Sequence, residues 1–190
     1  MKVNEIFYSL QGEGRFTGTP AVFVRLATCN LRCDFCDTEF NKFTEMTEDE
    51  ILEHVNKYPT RHVVLTGGEP TLQVTASLTD KLRESGHFIQ IETNGTMPLP
   101  EGCHIDWITC SPKYKPVRLQ HIDELKVVYQ GDGQDMTAYD KYEAREYRLQ
   151  PCDTLDAVKN KEILKQTIDF ILRNPKWTLS LQTHKILNVR

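Results

Sequence analysis

Residues 21–36 read AVFVRLATCNLRCDFC, and the reading of the fold starts there. The first six, 21–26, are apolar and β-branched apart from one arginine, which is the composition of a strand. The rest is a loop with three thiols, Cys29, Cys33 and Cys36, spaced C-x3-C-x2-C. The same order of apolar run followed by a polar, glycine or cysteine cluster recurs along the chain. Residues 62–66 (HVVLT), apolar on both faces, stop at Gly67-Gly68-Glu69-Pro70. Residues 88–93 stop at Asn94-Gly95, 106–110 at Ser111-Pro112, 124–129 at Gln130-Gly131, and 147–150 at Pro151. A last strand is predicted over 177–182. Helical patterns fall between some of these runs. Thr47 and Glu50 form a capping-box pair that opens a helix carrying Ile51, Leu52 and Val55. A second helix is predicted over 72–84, stopping at Gly86, and a third over 162–172 with Ile163, Leu164, Ile168, Ile171 and Leu172 on one stripe.

Strand and helix in alternation predict parallel βαβ units, whose ligands sit at the carboxyl ends of the strands. Every unusual cluster named above lies at such an end. Residues 96–104 and 113–123 show little helical pattern, so some crossovers are expected to be short or missing. A full eight-stranded barrel typically needs about 250 residues. The 190 residues here fit a partial α/β barrel of about six strands, as one domain over 1–190.

With 39% hydrophobic and 26% charged residues the chain is an ordinary globular one, which excludes disorder or a coiled coil as a description of the whole. The 23 Lys and Arg against 27 Asp and Glu give a net charge of −4, so no nucleic-acid partner is expected. No apolar run approaches the roughly 20 residues that cross a bilayer, so no membrane is expected either. The first residues, MKVNEIFYSLQGEG, lack the apolar stretch of a signal peptide. The expected location is cytoplasmic, a reducing compartment where clustered cysteines more often bind metal or do chemistry than pair as disulfides.

Two chemistries compete for the cysteine loop. A structural zinc site needs four protein ligands, and a fourth would have to come from Cys103, Cys110, Cys152 or a histidine. A [4Fe–4S] cluster normally takes four thiolates. Three would leave one iron open, and an open metal position is what catalysis requires. Gly67-Gly68 is either a tight turn or a place where backbone must approach closely. Cys103, Cys110 and Cys152 read as plain core or surface thiols.

With Phe35 just before the last cysteine, the C-x3-C-x2-C loop resembles the signature of the radical S-adenosylmethionine (SAM) superfamily. The resemblance implies a partial (β/α)6 TIM-like barrel of the radical SAM type. It also implies a [4Fe–4S] cluster on Cys29, Cys33 and Cys36, and SAM bound at the open iron and split to a 5′-deoxyadenosyl radical. Gly67-Gly68-Glu69 resembles the superfamily's GGE motif, which implies a SAM contact at Gly68. Phe35, Cys36 and Asp37, Ser111, Pro112 and Lys113, and Gln150 and Pro151 fall where the remaining SAM contacts are implied.

Four further segments narrow the family: SLQGEG at 9–14, Arg25, Asp37-Thr38, and the terminal QTHKILNVR at 182–190. Together they resemble the 7-carboxy-7-deazaguanine synthases of the queuosine-type pathway. That family's substrate is 6-carboxy-5,6,7,8-tetrahydropterin. Its implied reaction is hydrogen abstraction at C6, ring contraction and loss of ammonia, with SAM regenerated. The resemblance implies Mg2+ on Thr38. It implies substrate contacts at Leu10, Gln11, Gly12, Glu13, Arg25 and Thr66, and at His184 and Arg190 in a tail folded over the substrate. A carboxylate such as Glu13 can accept two N–H bonds from the pterin's amidine-like edge, and Arg25 can pair with the substrate carboxylate in two-pronged fashion. The plainer alternative makes Glu13 and Arg25 a surface ion pair worth little. A homodimer and a flavodoxin- or ferredoxin-type electron donor are further expectations. The alternatives are a radical SAM activase that installs a glycyl radical on a partner enzyme, and a zinc-binding structural module.

Overall fold

The computed structural model describes residues 1–34, 36 and 42–190. The chain opens with strands β1 (Lys2–Leu10) and β2 (Pro20–Leu26), followed by the short β3 (Thr44–Glu45) and helix α1 (Glu48–Val55). Then come β4 (His62–Gly67), α2 (Ala76–Glu84), β5 (Phe88–Thr93), β6 (Trp107–Cys110) and β7 (Glu124–Tyr129). The last elements are β8 (Glu146–Pro151), α3 (Ala157–Arg173), β9 (Thr178–Leu179) and α4 (Thr183–Leu187). The nine strands form one sheet in the order β3-β1-β2-β4-β5-β6-β7-β8-β9. From β2 to β9 all neighbours are parallel; β1 alone runs the other way, antiparallel to both β2 and β3. The sheet does not close into a barrel, so it is the open, partial α/β architecture expected from the alternation.

The two faces of the sheet differ in chemistry. Val22, Val24 and Leu26 of β2, Val63 and Leu65 of β4, and Ile89 and Ile91 of β5 all point one way, as the twofold repeat of a strand requires. They meet Ile51 and Val55 of α1 and Leu78 and Leu82 of α2 in one buried cluster. Each such fully buried leucine or isoleucine contributes about 1.5–3 kcal/mol. A second cluster joins Leu125, Val127 and Tyr129 of β7 to Leu149 of β8 and Trp177, with Phe170 and Ile171 of α3 packed against it. The alternate residues face inward; beside an apolar patch of Phe7, Ala21, Phe23 and Val64, the polar Arg25, Thr66, Glu92, Lys126 and Gln150 line a cavity there. Lower on the same inner face the β1–β2 loop fills the space. Phe16 sets its edge against His62, Phe88 and Trp107, at 4.9, 5.4 and 5.4 Å between ring centres.

Several elements depart from the sequence expectations. β1 was not expected, because KVNEIFYSL mixes charge into its alternation. It forms by antiparallel pairing with the strongly apolar β2. The helix expected over 72–84 begins only at Ala76, where the Thr75 hydroxyl accepts from Leu78 N. Before it lies a short 3-10 turn, Pro70–Leu72, capped by Glu69. The helix expected over 162–172 extends back to Ala157, because Asp156 caps Val158 and Lys159. The strand expected over 177–182 is cut to Thr178–Leu179, and α4 follows it. The abbreviated crossovers are borne out: no helix joins β5 to β6 or β6 to β7.

Candidate active site

The inner cavity holds about 1280 Å³ and opens at the carboxyl edge of the parallel strands. Its upper wall is the cysteine loop. Thr28 enters that loop with φ +75°, a left-handed conformation costly for a β-branched residue. The strain is held from the β4 side: Glu69 N donates to Thr28 O at 2.9 Å, and Gly68 N to Leu26 O at 3.0 Å. This contact explains both glycines. A Cβ on Gly68 would lie 1.9 Å from Thr28 O, and one on Gly67 2.0 Å from Leu26 O. The missing side chains thus make room for the chain's own backbone at Leu26 and Thr28. Further along, Arg32 N donates to the Tyr114 hydroxyl at 2.9 Å and Cys36 N to Cys33 O at 3.0 Å. Burial pushes the Cys29 and Cys33 thiols up from their ordinary range, and the Lys113 ammonium opposes this at Cys33.

Glu69 is the element of the GGE run that does most for the architecture. It is fully buried, accepts from Thr71 N and Thr71 Oγ1 at 3.1 and 2.6 Å, and reaches across to Thr93 Oγ1 and Asn94 N at 2.6 and 2.7 Å. One carboxylate thus fixes the ends of β4 and β5 together.

The floor is an ionic layer. Lys126, 4% exposed, lies 2.6 Å from Glu13 and 2.8 Å from Glu92. Gln11 Nε2 donates to Glu92 at 2.8 Å and Gln182 Nε2 to Glu13 at 2.9 Å. Burial alone would raise the Glu13 carboxyl, yet the Lys126 charge and hydrogen bond and the Gln182 amide bring it down to about 2. Glu13 therefore stays ionised on a buried surface. Arg25 does not pair with Glu13; its Nε donates to Glu5 at 2.9 Å. The surface-pair alternative for these two residues is corrected accordingly.

The C-terminal segment lies over this floor. Thr183 donates twice to Gly12 O, from N and Oγ1, each at 2.9 Å. The His184 ring occupies the place of a Gly12 side chain: a Cβ there would sit 2.1 Å from Nδ1. Lys185 pairs with Asp153 at 2.8 Å, and Arg190 pairs with Glu5 while its guanidinium lies 4.9 Å from the centre of the Phe7 ring.

The described residues singled out from the sequence therefore converge. Cys29, Cys33 and Cys36, Gly68, and Ser111 and Lys113 line the cavity, as do Gln150 and Pro151. So do Leu10, Gln11, Gly12 and Glu13, Arg25 and Thr66, and His184 and Arg190. Pro112 does not; it is buried behind Ser111. Phe35, Asp37 and Thr38 lie outside the described residues. Sequence reasoning missed Glu92, Asn94, Lys126 and Asp153. Two of these are charges inside otherwise apolar strands, FIQIET and ELKVVY, which is the signal that could have found them.

The donor set suits an iron–sulfur cube better than one ion. Three soft thiols come from a single loop, the ligand type that iron–sulfur clusters take, while Cys103 and Cys110 lie outside the cavity lining and Cys152 lines its wall.

An open parallel α/β sheet carrying three loop thiols and a Gly-Gly turn above one cavity defines the class, and the family model of the radical SAM superfamily matches residues 24–129, from within β2 to the end of β7. The chain is 53% identical to the 7-carboxy-7-deazaguanine synthase of Bacteroides thetaiotaomicron over 190 residues, all of this chain and 98% of that one. It is 39% identical to the synthase of Neisseria meningitidis serogroup B, over 97% of this chain and 92% of the other. The crystal structure of QueE from Escherichia coli superposes with a TM-score of 0.80 at 32% identity, covering 96% of this chain and 94% of that one. The chain belongs to the 7-carboxy-7-deazaguanine synthase family of radical SAM enzymes. The glycyl-radical activase reading finds no support in these matches.

Proposed function

We propose that this chain makes 7-carboxy-7-deazaguanine, the product for which its relatives are named, from 6-carboxy-5,6,7,8-tetrahydropterin with loss of ammonia. The reading is carried by one observation: the cysteine loop and the Gln11–Glu13 floor face the same cavity. Cys29, Cys33 and Cys36 are the residues to hold a [4Fe–4S] cluster. When bound, the cluster and SAM supply a carbon-centred radical that takes a hydrogen atom from the substrate. The chain's own residues bind and orient. Each Glu13 oxygen already accepts one hydrogen bond, from Lys126 or Gln182, and keeps a further lone pair for an N–H of the pterin edge. Arg25, whose Nε is engaged by Glu5, offers its terminal nitrogens to the substrate carboxylate. Thr66 and Leu10 flank the same space, and His184 with Arg190 covers it. Gly68, Ser111, Lys113, Gln150, Pro151 and Cys36 form the wall for SAM; the SAM contacts expected at Phe35 and Asp37 lie outside the described residues. Thr38 is the Mg2+ ligand in this reading, its hydroxyl oxygen being the hard donor that ion prefers.

The chain acts as one domain over 1–190, as a homodimer in the cytoplasm, with a flavodoxin- or ferredoxin-type donor. No helix among the described residues is long and apolar enough to cross a membrane. Anaerobic incubation of the iron-loaded chain with the tetrahydropterin, SAM and reductant tests the activity. The deazaguanine acid is expected with Mg2+ and several-fold less without it. A loaded chain that releases none refutes the assignment. Sedimentation at one chain mass would refute the dimer.

A further inference from the structure

The end of β5 is tied to the start of the cysteine loop by a closed ring of three side chains. Asn94 Nδ2 donates to Asn30 Oδ1 at 3.1 Å, Asn30 Nδ2 donates to Thr96 Oγ1 at 2.8 Å, and the Thr96 hydroxyl donates to Asn94 Oδ1 at 2.7 Å. The orientation of the Asn94 amide follows from a fourth bond. Thr96 N, which can only donate, lies 2.9 Å from the same Oδ1. The NH2 half is therefore the one turned toward the loop. One of its hydrogens serves Asn30, and the nitrogen lies 4.0 Å from Cys29 Sγ. Asn94 is 7% exposed, and its backbone N is held by the fully buried Glu69 at 2.7 Å. The amide is thus fixed from the β4 turn, from Thr96 and from Asn30.

We infer that Asn94 is a positioning residue for the iron–sulfur cluster: it locks the Cys29–Asn30 corner of the loop and aims an amide N–H at the sulfur of Cys29. This rests on the cluster-binding role proposed above for the three cysteines. A hydrogen bond to a ligating sulfur stabilises the more negative, reduced cluster, so this contact raises its reduction potential. Asn94→Ala removes the donor. Asn94→Asp keeps the shape and the acceptor for Thr96, but sets a carboxylate oxygen against the sulfur.

The test is a redox titration of the reconstituted chain followed by electron paramagnetic resonance, with iron content and thermal unfolding measured alongside. At a fixed poised potential the ratio of reduced to oxidised cluster should fall about fivefold in Asn94→Ala, or ~40 mV at 59 mV per tenfold for one electron. It should fall further in Asn94→Asp. Loss of iron from a variant that still unfolds cooperatively at the wild-type temperature also supports the role. Equal potentials in all three proteins overturn it. So does loss of iron accompanied by loss of cooperative unfolding in both variants, which marks a merely structural residue. A wild-type chain that takes up no iron overturns the cluster-binding reading, and this inference with it.

Discussion

Lys126 shows what one buried charge does at this site. Its ammonium is held by Glu13 and Glu92 on the cavity floor, out of contact with water. Lys126→Met leaves two half-buried carboxylates beside each other without their cation. We expect a loss of about 3–5 kcal/mol, read as a lower denaturant midpoint at unchanged slope. The same pair sets the acid limit. Glu13 titrates at about 2 when folded against an ordinary value of 4.5. A depressed folded pKa contributes stability in full above the unfolded value, and that contribution is lost as pH falls from about 4.5 to about 2. Stability measured across this range should drop in the wild type and lose that drop in Lys126→Met. Gly12 illustrates a different constraint, since its missing Cβ makes room for His184. Gly12→Ala is expected to push the His184 ring off the floor. Product formation should fall at least tenfold, while the melting temperature shifts by only a few degrees, because the tail buries little apolar surface.

At the scale of elements, helices α1 and α2 and the site lie on opposite faces of one sheet. In α1, Thr47 Oγ1 accepts from Glu50 N, and the Glu50 side chain accepts in return from Thr47 N. Thr47→Ala should cost about 1 kcal/mol of stability and leave turnover unchanged, which separates the two faces experimentally. The capping box, the helix stripes and the strand runs were legible in the sequence because their signals are local. The β1 strand and the early end of β9 were not. β1 depends on pairing with β2, and residues 182–187 leave the sheet to bond Gly12 and Glu13, which are distant in sequence.

For the molecule as a whole, the open sheet leaves its β9 side unclosed by any further strand. The segment after β9 crosses to β1 instead, through the Thr183–Gly12 and Arg190–Glu5 contacts, and is tied to the end of β8 by Lys185–Asp153. A chain ending at residue 182 should keep its far-ultraviolet circular dichroism and cooperative melting, because both buried clusters lie outside the deleted part. It should lose product formation. If the truncated chain turned over normally, the tail would have no part in the site.

The sequence by itself determined the class of chemistry. Three thiols at fixed spacing, a Gly-Gly turn and SLQGEG are short-range patterns, and each needs only its own loop to be recognised. It also determined the alternation of strand and helix, because periodicity is local. Only the tertiary structure decided that Lys126 joins Glu13 to Glu92, that Gly67 and Gly68 are pressed on the cysteine loop's own backbone, and that Asn94 faces Cys29. Those contacts link residues tens of positions apart. Which charges meet depends on strand order and register, quantities that no local stretch of sequence encodes.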